Sequence, residues 1–420
     1  MKPFFPYSRR RFLATGAAAL GVAPMAYLRA QSGSPNEEIS IGLIGCGGMG
    51  TGNIKTFLNI EGVRVVAVSD VDKKAMSKVK KIVDEFYGNK DCKIYQNYTD
   101  LLQHPELDTI CLATPDHWHA RIGIDAANAG LDIYGEKPFT WGLKEGRQLI
   151  DVLKKNETVW QTGSWQRSKS NFRRFKALIE NGTLGKITRM ECGTPEGSNI
   201  RKYPNLAKPP ATFDWDMYCG PAGKLEYNSQ VHPWNWRWLH TFGGGQLLDW
   251  VGHHVDIAMW TLGLDKTGPV KVEGLGERGD SKIFDAYDKY AYQGTFEDGR
   301  VLEVRSDFMG TKFTGENGWI HTSRGALKAS DREMLRNLPD DYESKVPSHQ
   351  QDFINCVRDR KVPQSDAEGA HRAASFGQLA IVAMESGQPV NWDPKAEKVI
   401  GNDEQANYPR LGSRIDVCKG

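Results

Sequence analysis

The sequence predicts two successive parts: a doubly wound parallel α/β sheet, then an open, mostly antiparallel sheet backed by helices. Three observations carry this prediction. Strand-like and helical segments alternate from residue 38 to 162. A glycine-rich turn joins the first strand of that run to the first helix. After Thr162 the texture changes to β-rich segments, with an irregular, Pro- and Trp-rich stretch at 194–242. The length of 420 residues suits two domains of roughly 150–200 residues each.

The first strand is Ile39-Ser40-Ile41-Gly42-Leu43-Ile44, apolar on both faces. Gly45-Cys46-Gly47-Gly48-Met49-Gly50 follows, and a helix runs to about Leu58. Gly-x-Gly-x-x-Gly alone is a weak signal, but between a strand and a helix it is a nucleotide fingerprint. Gly45 makes the tight turn, Gly47 lets the backbone approach a pyrophosphate, and Gly50 lets helix pack on strand. Gly48 and Met49 complete the cofactor-binding turn, with the phosphates at the positive end of the helix. A second strand, Val63 to Val68, ends in Ser69-Asp70, 20 residues after Gly50. A carboxylate there accepts bonds from a ribose 2′-hydroxyl and repels a 2′-phosphate, which favours NAD. Lys73 and Lys74 keep NADP open, and the bland alternative is that Asp70 only caps the helix from Lys73 to about Phe86.

The alternation continues through a strand at Asp108–Thr114, a helix at His117–Ala129 and a strand at Leu131–Tyr134. A helix at Leu143–Lys155 and a strand at Thr158–Thr162 complete it. Right-handed crossovers place the strand carboxyl ends, and the ligand, along one edge of a Rossmann-type sheet. In the second part, a helix at Asn171–Glu180 leads to a strand at Gly185–Gly193. Strands are predicted at Val270–Leu275, Lys289–Glu297, Val301–Phe308 and Gly318–His321, with a hairpin turn at Asp298-Gly299. Helices at His349–Arg358 and Ala367–Glu385 should pack on one side, before an irregular tail.

The termini and charges bound the partners. Residues 8–13 read Ser-Arg-Arg-Arg-Phe-Leu, followed by an apolar run from Ala14 to Leu28 and a small residue, Ala30, at a plausible cleavage point. This matches a twin-arginine export signal over residues 1–30, with a linker at 31–37, and implies the twin-arginine translocase as partner and a periplasmic or exported protein. The first 30 residues hold five bases and no acid; without them 49 bases face 52 acids. That balance argues against a nucleic-acid binder. No stretch after residue 30 approaches the roughly 20 apolar residues of a membrane span. Seven cysteines, none in Cys-x-x-Cys spacing, read as buried small residues, and no metal is expected.

Several further motifs resemble one family. They are Thr114-Pro115-Asp116-His117-Trp118-His119, Gly135-Glu136-Lys137-Pro138, Gln166-Arg167-Ser168, Asp214-Trp215-Asp216, Trp392-Asp393-Pro394 and Gly243 to His253. With the glycine turn they resemble the Gfo/Idh/MocA oxidoreductases, which include glucose–fructose oxidoreductase and inositol dehydrogenase, over nearly the whole chain from residue 38. The resemblance implies a Rossmann domain at 38–162 and a substrate and oligomerisation domain at 163–420 that forms a homodimer or homotetramer through its sheet. It places Thr114, Pro115, His119, Glu136 and Lys137 at the cofactor. It implies that Lys137 lies between nicotinamide and substrate, that Asp249 and His253 form the Asp-x-x-x-His pair, and that Lys137–Pro138 is cis. Many members carry glycine two positions after the Asp; here that position is Val251, with Gly252 next.

The residues support this chemistry by themselves. Asp249 and His253 are four apart, which puts them on one face of a helix, where the carboxylate fixes the imidazole tautomer. Alcohol oxidation needs a base for the hydroxyl proton and a hydride acceptor. His253 is the base or relay; Lys137 orients the hydroxyl and stabilises alkoxide character, or exchanges that role with His253; Asp249 orients both. His254 points away and reads as structural, as does Asp256; His117 and His119 read as packing or capping rather than as metal ligands. Trp234, Trp236 and Trp238 alternate, so on an extended segment they would share a face suited to sugar rings. The candidate substrate contacts are Trp165, Arg167, His232, Trp236, Arg237 and Trp250.

The leading expectation is an exported NAD-dependent oxidoreductase acting on a hydroxyl of a sugar, glycoside or cyclitol, with ring carbon 3 a candidate and the cofactor tightly held. One alternative is a redox-neutral NAD-dependent glycoside hydrolase, although the Tyr-Pro-Thr-His-Gly stretch associated with that group is absent. A second is a non-catalytic sugar-binding protein.

Overall fold

The computed structural model describes residues 38–197, 207–343 and 345–415. The export signal and linker expected at 1–37 lie outside the described residues, as does Cys418.

Six parallel strands form the first sheet: β1 (Ile39–Ile44), β2 (Val63–Ser69), β3 (Lys93–Tyr95), β4 (Thr109–Leu112), β5 (Asp132–Gly135) and β6 (Trp160–Thr162), in the order β3-β2-β1-β4-β5-β6. Every residue of β1 is buried, because helices cover both faces. These are α1 (Gly48–Phe57), α2 (Lys73–Tyr87), α3 (His119–Asn128) and α4 (Leu143–Lys155). The strand order reverses between β1 and β4, and a crevice opens there at the carboxyl ends. Two predictions shift. β3 is an unpredicted three-residue strand with two exposed side chains, too short to carry a pattern. The predicted helix from His117 begins with a 3-10 turn at Asp116–Trp118.

The second sheet has nine strands: β7 (Ile187–Gly193), β8 (Lys271–Arg278), β9 (Tyr287–Thr295), β10 (Val301–Arg305), β11 (Gly310–Gly315), β12 (Gly318–Ser323), β13 (Ala326–Ala329), β14 (Val390–Asp393) and β15 (Lys398–Val399). All its pairings are antiparallel except β7 with β10. The β9–β10 turn is made at Asp298-Gly299, with Gly299 at φ +83°. One apolar core joins this sheet to α5 (Ser170–Glu180), α6 (Gly245–Trp250), α7 (Asp256–Thr261) and α9 (Ala367–Ser386). Asp366 caps α9 by accepting from Gly369 N at 2.8 Å, and Gly387 ends it at φ +65°.

The sequence placed α8 (His349–Asp359) against the second sheet; instead it packs on the first domain. Phe353 meets the rings of Phe57 and Tyr134 edge-on. A second strap runs the same way. Phe213 forms a β-bridge with Asp72, Lys73 N donates to Thr212 O at 2.9 Å, and Asp214 N donates to Val71 O at 3.0 Å. The irregular stretch is thus tied to the loop after β2 and roofs the crevice. Among the described residues, no helix is long and apolar enough to cross a membrane, no group of His, Cys, Asp or Glu is arranged to hold a metal ion, and six cysteines are free and buried.

Candidate active site

The glycine turn divides its labour. Gly45 is at φ +96°, and a Cβ there would overlap the Ala113 carbonyl. A Cβ on Gly50 would overlap the Gly45 carbonyl oxygen, so Gly50 sets the contact of α1 with the strand. Nothing lies within 4 Å of a Cβ on Gly47 or Gly48. That open space faces the unpaired N–H groups of the first turn of α1, a cradle for a diphosphate. Asp70 lines the same cleft, accepting from Cys46 N at 2.6 Å and Asp72 N at 2.8 Å. Burial pushes its carboxyl up to about 6, against those two amides. Asp72, not Asp70, caps α2 by accepting from Lys74 N. Lys73 and Lys74 are exposed and outside the cleft lining. An open diphosphate cradle beside the Asp70 carboxylate fits a nicotinamide dinucleotide.

The cleft runs from this turn past Thr114, Pro115 and Glu136 to Lys137 and Asp249. Glu136 accepts from Asn53 Nδ2 at 2.9 Å, while its Oε2 is buried without a partner. His119, expected at the cofactor, is set back from the cleft. Its ring is buried, with Nδ1 2.7 Å from Pro138 O and Nε2 2.9 Å from Thr114 O, and it is absent from the cleft lining. It holds the Lys137–Pro138 loop against the end of β4. That peptide bond is cis.

Lys137 Nζ donates to Asp249 Oδ1 at 2.8 Å, and Arg237 Nε lies 3.7 Å from the same oxygen. Burial alone would raise the Asp249 carboxyl; Lys137, Arg237 and Arg324 outweigh it and hold it below the ordinary range. The expected Asp249–His253 contact is not formed. Val251–Val255 is a π-helical turn between α6 and α7, which breaks the i, i+4 stacking of an α-helix. His253 instead meets the rings of Trp250 and Trp165 at 5.4 and 5.9 Å. Its Nδ1 is enclosed without a partner, and the ring is buried behind the Lys137–Asp249 pair rather than in the cleft lining itself. Burial, reinforced by Lys137 and Arg324, pushes the imidazole well below 6.5. The π turn also accounts for the displaced glycine. Gly252 lies against the Lys137 side chain, where a Cβ would sit 2.7 Å from Lys137 Cβ, whereas Val251 is buried in the core.

Two family models match this chain. Residues 39–164 match the oxidoreductase family, NAD-binding Rossmann fold, and residues 169–411 match the oxidoreductase family, C-terminal alpha/beta domain. The chain belongs to the Gfo/Idh/MocA family. The scyllo-inositol 2-dehydrogenase (NAD+) of Bacillus subtilis is 22% identical over 378 residues, 86% of this chain and 98% of that one. The myo-inositol 2-dehydrogenase of Thermotoga maritima is 28% identical over 182 residues, 42% of this chain and 53% of that one. The chain thus spans about half the length of several curated relatives it matches. The WlbA dehydrogenase from Bordetella pertussis, solved with NADH and UDP-GlcNAcA, shares the fold at TM-score 0.65 and 17% identity, covering 85% of this chain and 99% of that one.

The substrate side of this Gfo/Idh/MocA protein departs from the sequence expectation. Residues 234–238 are not extended: Asn235–Trp238 is a 3-10 turn. Trp234 is exposed, Trp238 is buried, and no common aromatic face forms. The Arg237 guanidinium sits 3.9, 4.6 and 5.5 Å from the rings of Trp234, Trp236 and Trp238. His232, Trp234, Trp236 and Arg237 do line the cleft. Arg167 does not reach it. It is fully buried, with Nη2 2.6 Å from Asp256 and Nη1 3.2 Å from Asp265, and its role is structural. His117 is also buried, on Tyr218 O and the Phe242 ring, and His254 sits 2.5 Å from Gly193 O. Trp165 and Trp250 pack against His253 and do not line the cleft.

Sequence reasoning missed two residues here. Asp116 is buried beside Lys137, and burial, partly offset by Lys137, lifts its carboxyl to about 7. It follows Pro115 in a motif already singled out, so its position was the available signal. Arg324 packs over Trp165 and Trp250; nothing in the local sequence distinguishes it from other surface arginines.

Proposed function

We propose that the protein is an NAD-dependent dehydrogenase that oxidises a hydroxyl of a sugar, glycoside or cyclitol. One observation carries this reading: the cleft that begins at the glycine turn ends at an ammonium fixed by a carboxylate, Lys137 on Asp249, with the His253 imidazole buried within reach of the Lys137 charge. NAD, when bound, supplies the hydride acceptor. Lys137 donates to the substrate oxygen and stabilises its alkoxide character. Asp249 holds Lys137 in place. His253 Nε2 accepts the hydroxyl proton. The names of the inositol dehydrogenase relatives agree with a polyhydroxylated ring as substrate.

Finer features belong to the same proposal. Asp70 favours NAD over NADP by repelling a 2′-phosphate. The strap at 212–214 and the wall at 232–237 favour a cofactor held through turnover. Ring carbon 3 is the oxidised position, because the resulting ketone acidifies its neighbours for later elimination. The twin-arginine pattern at residues 8–13 directs export, and the second sheet provides the face for self-association.

The test is a panel of glycosides and cyclitols added to the purified protein, followed at about 340 nm, where reduced nicotinamide absorbs. The reading predicts a rise with at least one compound. Free sugar released without any rise would replace it with the redox-neutral hydrolase; no rise and no product with any compound would refute it.

A further inference from the structure

Next to His253, outside the cleft lining, two indoles carry the tip of a β-hairpin. β12 ends at Ser323 and β13 begins at Ala326, and these two residues pair, so Arg324-Gly325 is a two-residue turn. Gly325 takes the left-handed position at φ +76°. Asn171, at the start of α5, pins this turn: its Nδ2 lies 3.0 Å from Thr322 Oγ1, 2.8 Å from Ser323 O and 3.3 Å from Ala326 O. The hairpin tip is therefore placed, and Arg324 with it. Its guanidinium sits 4.3 Å from the Trp250 ring centre and 4.9 Å from that of Trp165, the two indoles that flank His253. Lys169 Nζ lies 5.6 Å from the Trp165 ring.

These cations differ from the others in the site. Lys137 has Asp249, and Arg237 has Asp249 and the Trp234 carbonyl. Among the described residues, neither Arg324 nor Lys169 has a carboxylate partner, and no hydrogen bond satisfies the Arg324 guanidinium. Its charge is nevertheless felt at both Asp249 and His253. Lys137, Arg237 and Arg324 thus all act on the one carboxylate of Asp249. Indole faces hold a guanidinium by its plane and leave its donors at the edge, in the fork that matches a carboxylate.

We propose that Arg324 is a specificity-determining residue that pairs with a carboxylate on the substrate, so that the preferred substrate is an acidic, uronate-type sugar. This rests on the dehydrogenase reading above, but its test reads binding as well as turnover.

The experiment uses the purified holoprotein and its Arg324→Gln and Arg324→Lys variants. Each is titrated with methyl glucuronide, methyl glucoside and glucose 6-sulfate, by tryptophan fluorescence and by reduction of the bound nucleotide. Arg324 is exposed at a turn, so neither change disturbs the core. The wild type should bind the glucuronide about tenfold or more tighter than the glucoside, the scale of one charged hydrogen-bonded pair. Arg324→Gln should bring the ratio of glucuronide to glucoside affinity to about one, whatever it does to binding of both sugars together, and Arg324→Lys should keep part of that ratio. No preference in the wild type, or a wild-type affinity ratio kept intact in Arg324→Gln, would overturn the proposal. An equal or greater preference for the sulfate would overturn the carboxylate assignment. An Arg324-dependent preference in binding without nucleotide reduction would uphold the role of Arg324, and the same silence across the full glycoside and cyclitol panel would refute the dehydrogenase reading instead.

Discussion

Lys137 Nζ and Asp249 Oδ1 meet at 2.8 Å, and that bond joins the loop after β5 to the end of α6. It therefore spans the two domains at the floor of the cleft. Both side chains are largely sheltered, at 11% and 22% exposure, so the pair acts at a lower dielectric than bulk water. The ammonium has a fixed direction before any substrate arrives, which is the condition for preorganised stabilisation of an alkoxide.

Lys137→Ala should lower kcat/KM by about 10²–10³, the usual loss for one donor to a developing oxyanion. Dinucleotide binding should be retained, because the glycine turn and Asp70 are untouched. Steady-state kinetics with nucleotide titration separates the two effects.

His253→Gln should lower kcat by about 10²–10⁴, the range of a positioned general base. The sign of the pH effect follows from burial. The imidazole pKa is depressed below 6.5, so the wild-type ring is neutral and competent above that pH. Activity due to this group should fall only as pH drops below 6.5, and a profile of log kcat/KM against pH should lose that limb in the variant.

Two glycines of the turn should respond differently. Gly50→Ala places a methyl on the Gly45 carbonyl oxygen and should destabilise the fold by about 2 kcal/mol or more, from overpacking and backbone shift. Gly47→Ala adds a methyl to open space. It should leave thermal stability nearly unchanged and weaken dinucleotide binding. Melting curves and binding titrations of both variants check this.

Arg167→Ala should behave as a fold mutation. It leaves Asp256 buried without its partner, and breaking such a pair costs about 3–5 kcal/mol. Denaturant unfolding should show that loss, with KM unchanged in the protein that remains folded.

Glu145 offers a separate test of burial. It accepts from Gly142 N at 2.8 Å, and burial lifts its carboxyl from 4.5 to about 7. The folded value lies above the unfolded one, so its contribution is complete below pH 4.5 and is lost as pH rises through about 7. Glu145→Gln should remove this dependence. Melting temperatures should show the wild type losing ground to the variant between pH 5 and 8.

Much of this was legible in the sequence because it depends on short-range pattern. The glycine turn, the apolar strand before it and Asp70 at its proper distance each carry a local steric or electrostatic reason, and the parallel sheet follows from them. The failures share another cause. The Asp249–His253 pairing assumed 3.6 residues per turn, and the π turn at Val251–Val255 changes the phase without any sequence mark. The tryptophans at 234, 236 and 238 alternate as in a strand, yet Asn235–Trp238 curls into a 3-10 turn around Arg237. Arg167 sat in a family motif and proved buried, while Arg324 sat in an ordinary turn and packs on Trp250, which touches His253. The docking of α8 on the first domain depends on contacts nearly 300 residues apart, such as Phe57 with Phe353, which no local period encodes.

The central claim is that hydride leaves the substrate at the Lys137–Asp249–His253 end of the cleft. A single-turnover trace of nucleotide reduction tests it most directly, using one sugar, protiated or deuterated at the reacting carbon, with wild type and Lys137→Ala. The account predicts one reduced nucleotide per site in the wild type, formed more slowly with deuterium, and a rate at least about a hundredfold lower in the variant. Reduction at the same rate in both proteins would place the chemistry elsewhere and contradict it.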